Sequence, residues 1–357
     1  MRRAFSLIGL LALIACTTCV REVEQVTAEP RQPKCLGVFG SPKLLWDRGE
    51  KLSDYHINAV FVGHAALKPE VIERCRREGA RVYAEIGIFV GAKVAEEHPE
   101  LWPINAQGQK MEKDGWYLGL CPNYNWYFQE KLDEVEGLAR EYDIDGIWLD
   151  FIRFPGHWEV RQPRREQACF CSESLKDFSE TTGIQIEGET TAQRADFILT
   201  HHRAEWTTFK CRRIAEFCRR AKQRLKKHRP QAVLGIFSVP WTEEDYDDAI
   251  HEIIAQDFAL LAEHVDVFSP MSYHLMCGFP PEWVGQYNEY LVGKTGRDVW
   301  PIVQCVNQPE ELPVAEFRQV LELGLSGGAT GVQVFTLKGL VEEEEKLGVV
   351  KQVYARP

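Results

Sequence analysis

The stretch Asp145-Gly-Ile-Trp-Leu-Asp150-Phe-Ile-Arg153-Phe-Pro155 decides the fold. Ile147, Leu149, Phe151 and Phe154 read as a strand inside the protein, yet a carboxylate stands at Asp150 and a guanidinium at Arg153. A charge within an apolar run costs several kcal/mol unless it is paired or used. Pro155 ends the strand because it has no N–H to offer a neighbour. Side chains alternate along a strand. Trp148, Asp150 and Ile152 therefore share one face, and Ile147, Leu149 and Phe151 the other. If the second set packs against helices, Asp150 points inward near the carboxyl end, where an α/β barrel keeps its chemistry. The structural alternative is an ion pair from Asp150 to an arginine, and such an arginine would also set the carboxylate's pKa. Asp145, ahead of Gly146, reads as a turn residue.

Outward from this strand the chain alternates strand and helix. The spacing predicts strands over 35–39, 57–63, 81–89, 146–154, 233–241, 265–274, 299–304 and 331–336. Helices are predicted over 69–78, 126–142, 194–228, 248–264, 283–292 and 314–325, and a last one after the eighth strand. Eight strands, most followed by a helix, predict an α/β fold: a single (β/α)8 TIM barrel with a long insertion after strand 4, from about 156 to 188. A doubly wound sheet would place a Gly-rich phosphate turn after its first strand, and Gly40-Ser-Pro42-Lys43 is not one.

The chain has 357 residues, 45% apolar and 27% charged, with a net charge of -11. That balance speaks against nucleic acid as a partner. The basic residues between 211 and 229 alternate with apolar ones at helical spacing and read as a solvated helix face. Met1-Arg-Arg3 followed by an apolar run to Ala15 reads as an export signal, too short to span a bilayer. Leu13-Ile14-Ala15-Cys16 resembles the bacterial lipobox, which implies lipidation of Cys16 and a membrane partner through that lipid. The expected organisation is a lipoprotein-type signal peptide over 1–16, a flexible tether over 17–33 and the barrel over 34–357. The expected location is the cell envelope, on the outer membrane or periplasmic face; plain secretion is the alternative. Eleven cysteines are present. Only Cys169-Phe-Cys171 forms a close pair in the folded region, and no CxxC or HExxH spacing appears there, so neither metal nor cofactor is predicted.

Asp150 needs a second carboxyl group if it is to cleave a glycosidic bond. Glu85 on the third strand is one candidate. Glu243, opening the Glu243-Glu244-Asp245 run after the fifth strand, is the other. Tyr273 and His274 at the end of the sixth strand, Gln304 at the end of the seventh, His64 at the end of the second and Arg153 carry groups suited to sugar hydroxyls and charge. Ten tryptophans are present, and Trp102, Trp116, Trp126, Trp158 and Trp241 lie in or beside loops, where rings can stack on sugar faces.

The fourth-strand segment resembles that of glycosyl-hydrolase-like TIM-barrel family proteins, which carry a pattern close to DGIxxDYIRFP. Leu120-Cys-Pro-Asn123 and Cys169-Phe-Cys171 are similar to the same group, whose members often add a third cysteine where this chain has Ser174. A more distant resemblance is to the chitinase family. Asp150 matches an acid of its DGxDxDxE strand, Ile152 stands where its proton-donating Glu would be, and Met271-Ser-Tyr273 is similar to its sixth-strand motif. In the largest glycosidase clan the fourth and seventh strands end in Glu; here Asp150 and Gln304 hold those places. The resemblance implies a glycoside hydrolase acting on a poly- or oligosaccharide and centred on Asp150. A non-catalytic glycan-binding lipoprotein on the same barrel is the alternative.

Overall fold

The computed structural model describes residues 34–356. The expected signal peptide, the whole of the expected tether and Cys16 lie outside the described residues. Among those described, no helix is long and apolar enough to cross a membrane.

Nine parallel segments close on themselves. They make eight strands: β1 Cys35–Phe39, β2 Ala59–Gly63, β3 Arg81–Gly87, β4 Gly146–Asp150, β5 Val233–Ser238, β6 Val267–Ser272, β7 in two pieces, Asp298–Val299 and Ile302–Gln304, and β8 Gly331–Phe335. Trp300-Pro301 splits β7, because Pro301 has no N–H for the ladder. The Trp300 amide still donates to the Phe268 carbonyl at 2.9 Å, so the strand keeps its place. β8 pairs with β1 in register from Cys35 with Gly331 to Phe39 with Phe335, which closes the (β/α)8 barrel.

Aromatic rings fill the interior. Phe61 stacks on Tyr83 at 4.9 Å, Trp148 meets Tyr83 edge-on at 4.7 Å, and Trp148 stacks on Trp300 at 5.5 Å. The register sets Trp148 beside Gly235. A Cβ at 235 would lie 2.2 Å from the indole, so the large ring on β4 requires the absent side chain on β5. The indole N–H donates to Ser269 Oγ at 2.9 Å, and Gln333 donates to the same oxygen at 2.8 Å, which satisfies polar groups that burial would otherwise penalise.

The outer layer departs from the sequence reading in three places. The predicted helix 194–228 is two helices, Thr191–His201 and Arg203–His228, broken at His202. Thr190 and Gln193 form a capping box that starts the first of them earlier than predicted. Residues 248–264 hold only two one-turn helices, Ala249–Glu252 and Phe258–Leu261, because Tyr246, Asp247 and Asp248 take left-handed backbone conformations ahead of them. The insertion after β4 is more than a loop. Leu175 and Phe178 of its helix Ser172–Thr182, with Phe170 just ahead of that helix, pack against Ala195, Ile198, Trp206 and Phe209 in a small core of its own.

Candidate active site

β4 ends at Asp150. Phe151 then takes φ 50°, a left-handed conformation that a non-glycine residue adopts only at some cost. This turn breaks the strand alternation assumed for residues 151 and 152. Phe151, expected to pack against helices, instead lines the cavity at the barrel mouth. Its amide donates to Asp150 Oδ1 at 2.7 Å.

Asp150 and Glu85 both open into this cavity, which measures about 760 Å³. That size lies within the roughly 300–1,000 Å³ range of small-molecule sites. Glu85 pairs in register with Trp148, two residues before Asp150, so both carboxyl groups sit on the inward face of neighbouring strands. Across a parallel pair that offset places the two Cα atoms about 8 Å apart. The Glu85 carboxylate lies over Gly63 of β2, where a Cβ would come within 3.3 Å of Oε2.

The two acids differ in their surroundings. Burial pushes Glu85 up to about 8, the negative charge of Asp150 adds to it, and Lys131 opposes it. Burial pushes Asp150 up only to about 6, because the Arg153 guanidinium and the Phe151 amide favour its ionised form. The acids titrate as a pair, with Glu85 the later to lose its proton.

Arg153 is 3% exposed and lies over the Phe151 ring at 4.7 Å and the Tyr117 ring at 5.7 Å. Its Nε and Nη1 have no protein partner, leaving buried donors near the cavity wall. Glu159, carried by the insertion, also lines the cavity. Burial raises its pKa, Asp150 adds to the rise, and Arg153 opposes it. Tyr273 stacks between Trp158 at 5.9 Å and Phe335 at 5.1 Å, and Met271 joins it on the wall. His157 meets Asp114 at 2.7 Å, and Trp116, 66% exposed, stands at the mouth edge-on to Phe151 at 5.8 Å.

The structure thus brings Asp150, Glu85 and Tyr273 to one cavity, with Arg153 close enough to bias Asp150 and Glu159. The other sequence candidates lie elsewhere. Glu243 accepts the Tyr290 hydroxyl at 2.6 Å and pairs with Lys294 at 2.5 Å, and it is not part of the cavity wall. Burial alone would raise its pKa, but those two partners hold it at about 2, which unfits it as a proton donor. Trp241 is buried and packs edge-on against Tyr246 at 4.9 Å, so no sugar can stack on it. His274 is buried, bonds Glu316 at 2.9 Å through Nε2, and is held below its usual pKa by burial. Gln304 is buried too. It donates to the Val306 carbonyl at 2.8 Å and accepts the Met276 amide at 3.3 Å, so it braces Met276, a wall residue, rather than facing the cavity. His64 is exposed and opens the short turn His64–Ala66 beyond β2. Conversely, sequence reasoning missed Glu159, His157 and the Gln308-Pro309 corner of the wall. Glu159 follows Trp158 in a segment without periodicity, so nothing local marks it as facing Asp150.

The chain is thus a closed parallel (β/α)8 barrel whose cavity, into which Glu85 of β3 and Asp150 of β4 open, lies at the carboxyl ends of the strands, where barrels of this class carry their sites. The chain belongs to the DUF4015 family, described as a "Putative glycosyl hydrolase domain", which matches residues 54–286. No curated protein matches the sequence. Among solved structures, the glycoside hydrolase domain of PgaB (BpsB) from Bordetella bronchiseptica superposes with a TM-score of 0.68 at 14% identity, covering 90% of this chain and 99% of that one. A β-galactosidase from the psychrophilic Marinomonas ef1 gives 0.65 at 15% identity, covering 89% of this chain. An α-L-fucosidase isoenzyme 2 from Paenibacillus thiaminolyticus gives 0.59 at 17% identity, covering 88%. This chain spans 58% of the galactosidase and 46% of the fucosidase. At these identities the likeness is one of fold.

Proposed function

We propose that this barrel hydrolyses glycosidic bonds in a poly- or oligosaccharide, with Glu85 as proton donor and Asp150 as its ionised partner. The observation that carries the proposal is that both acids open into one cavity from neighbouring strands while their surroundings differ: burial raises both, and only Asp150 has the Arg153 guanidinium and the Phe151 amide to favour its ionised form. Two carboxyl groups whose surroundings separate their pKa values assign themselves acid and base roles. At neutral pH Glu85 holds the proton that a departing sugar oxygen needs. Asp150, kept ionised by Arg153 and the Phe151 amide, faces the positive charge that develops at the anomeric carbon. Arg153 and Tyr273 position substrate and acids, and Trp116 offers a ring to a sugar face at the mouth. The export signal and lipidation at Cys16 would hold this barrel at the cell envelope, with residues 17–33 as the tether.

Reducing-end release from a panel of polysaccharides, with glycan binding measured alongside, tests the assignment. Release is expected from wild type and not from Asp150→Asn, whose binding persists. An Asn variant of full activity refutes the role of Asp150. A wild type that binds glycan and releases nothing converts the proposal to the glycan-binding reading.

A further inference from the structure

Outside the cavity, the thiols of Cys121, Cys169 and Cys171 converge. All three are buried, and their sulfurs lie within 4.8 Å of one another, with Cys121 and Cys171 3.6 Å apart. Among the described residues this is the one cluster of three or more His, Cys, Asp or Glu side chains with donor atoms this close. Two segments far apart in the chain bring it about. Cys121 follows a segment hydrogen-bonded to the loop after β3, where the Leu120 amide donates to the Phe89 carbonyl at 2.9 Å. Cys169 and Cys171 come from the insertion after β4, where the Phe170 amide donates to the Ile104 carbonyl at 2.8 Å.

Backbone amides reach two of the three sulfurs. The Ile104 amide donates to Cys169 Sγ at 3.2 Å and the Ser174 amide to Cys171 Sγ at 3.4 Å. Cys171 caps the N-terminus of the eleven-residue helix Ser172–Thr182, where the helix dipole favours a thiolate. Arg213 donates to the Pro122 carbonyl at 3.0 Å, which sets a guanidinium next to the cluster. On the remaining side Ser174 Oγ lies 3.1 Å from Cys171 Sγ and 3.4 Å from Cys121 Sγ, held by Asn123 Nδ2 at 2.8 Å. Asn123 is fully buried and its Oδ1 has no partner.

We propose that Cys121, Cys169 and Cys171 bind a zinc-class cation that fastens the insertion to the loop after β3. A tetrahedral site with Zn–S bonds of about 2.3 Å places sulfurs about 3.8 Å apart; Cys121 and Cys171 stand at 3.6 Å, and all three sulfurs lie within 4.8 Å of one another. Three thiolates select a soft or borderline cation over calcium or magnesium. The fourth position opens on the Ser174 hydroxyl. A disulfide would use two of the sulfurs and strand the third, whereas a cation engages all three. The site holds the two loops that flank the cavity, one carrying Trp116 and the other His157 and Glu159, so it steadies the wall without joining the reaction.

The full chain, prepared with Zn²⁺ and dialysed, is expected to retain about one equivalent of zinc, as structural sites do. Replacement by Co²⁺ should give intense thiolate-to-cobalt charge-transfer absorption. Cys121→Ser and Cys169→Ser should lose both signals, while Cys218→Ser, a buried cysteine away from the cluster, should keep them. Chelation should speed hydrogen exchange in residues 156–171 more than in the strands. Wild-type protein that retains less than about a tenth of an equivalent, a cobalt form without thiolate bands, or a disulfide joining two of the three cysteines would each overturn the proposal.

Discussion

Glu85→Gln separates the electrostatic account of the site from any merely structural role for this residue. The side chain stays the same size, so the change removes only the ability to ionise. In the unfolded chain Glu85 loses its proton near 4.5; in the folded protein it keeps it to about 8. The sign follows. Below 4.5 both states are protonated, and folding is unaffected by this group. Between 4.5 and about 8 the folded state holds a proton that the unfolded state has released, so stability falls as pH rises. At about 1.4 kcal/mol per pH unit, the whole span amounts to an upper limit of about 5 kcal/mol. Solvent relaxation and sharing of the charge with Asp150 reduce it, so about 2–5 kcal/mol is the working range. Gln pays none of this. The variant should therefore match wild type within about 1 kcal/mol at pH 5 and exceed it by about 2–5 kcal/mol at pH 9. At roughly 2 °C per kcal/mol for a domain of this size, that is a gain of about 4–10 °C in melting temperature at pH 9. Thermal or urea unfolding of both proteins at the two pH values measures it. A gain that is equal at both, or that shrinks as pH rises, refutes the claim that Glu85 is a buried, proton-holding acid.

Further outcomes follow from the same geometry. The pH dependence of kcat/KM should be bell-shaped, with limbs near about 6 and about 8 from the Asp150–Glu85 pair; Glu85→Gln should lower the rate by about 10²- to 10⁴-fold and remove the alkaline limb. Arg153→Met removes the cation that favours ionised Asp150, so the acidic limb should move to higher pH, read from the same profile. Gly235→Ala drives a methyl group into the Trp148 indole, 2.2 Å away, and should cost about 3 kcal/mol or more in urea unfolding, with part recovered in the Trp148→Phe background. Trp116→Ala, at an exposed position on the cavity mouth, should raise KM for an oligosaccharide several-fold while leaving both pH limbs in place.

Particular residues show how far a linear reading reaches. The barrel was legible because the strands are short, largely apolar runs with local stops: Pro155 after β4, Gly63 at the end of β2, the Gly327-Gly328 turn before β8. Asp150 was legible for the same reason, as a carboxylate two residues beyond Trp148 on a strand about to end. Glu85 stood out as a polar residue on the inward face of β3. The choice between Glu85 and Glu243 was not local. Glu243 is neutralised by Lys294 on the helix Trp283–Thr295, a pairing that no periodicity around residue 243 announces. His274, Gln304 and Trp241 sit at strand ends as expected, yet Glu316, the Val306 carbonyl and Tyr246 claim them.

The sequence by itself determined the closed parallel barrel and the position of one acid at its mouth, because hydrophobic period and chain breakers act over a few residues. Only the tertiary structure decided which groups share that mouth. The left-handed turn at Phe151, the return of the insertion that sets Glu159 at the wall, and the meeting of Cys121 with Cys169 and Cys171 depend on contacts between segments far apart in the chain. Such contacts arise from register and packing, and from the burial they impose. That burial turns two ordinary carboxyl groups into a proton donor and its partner in the proposed reaction.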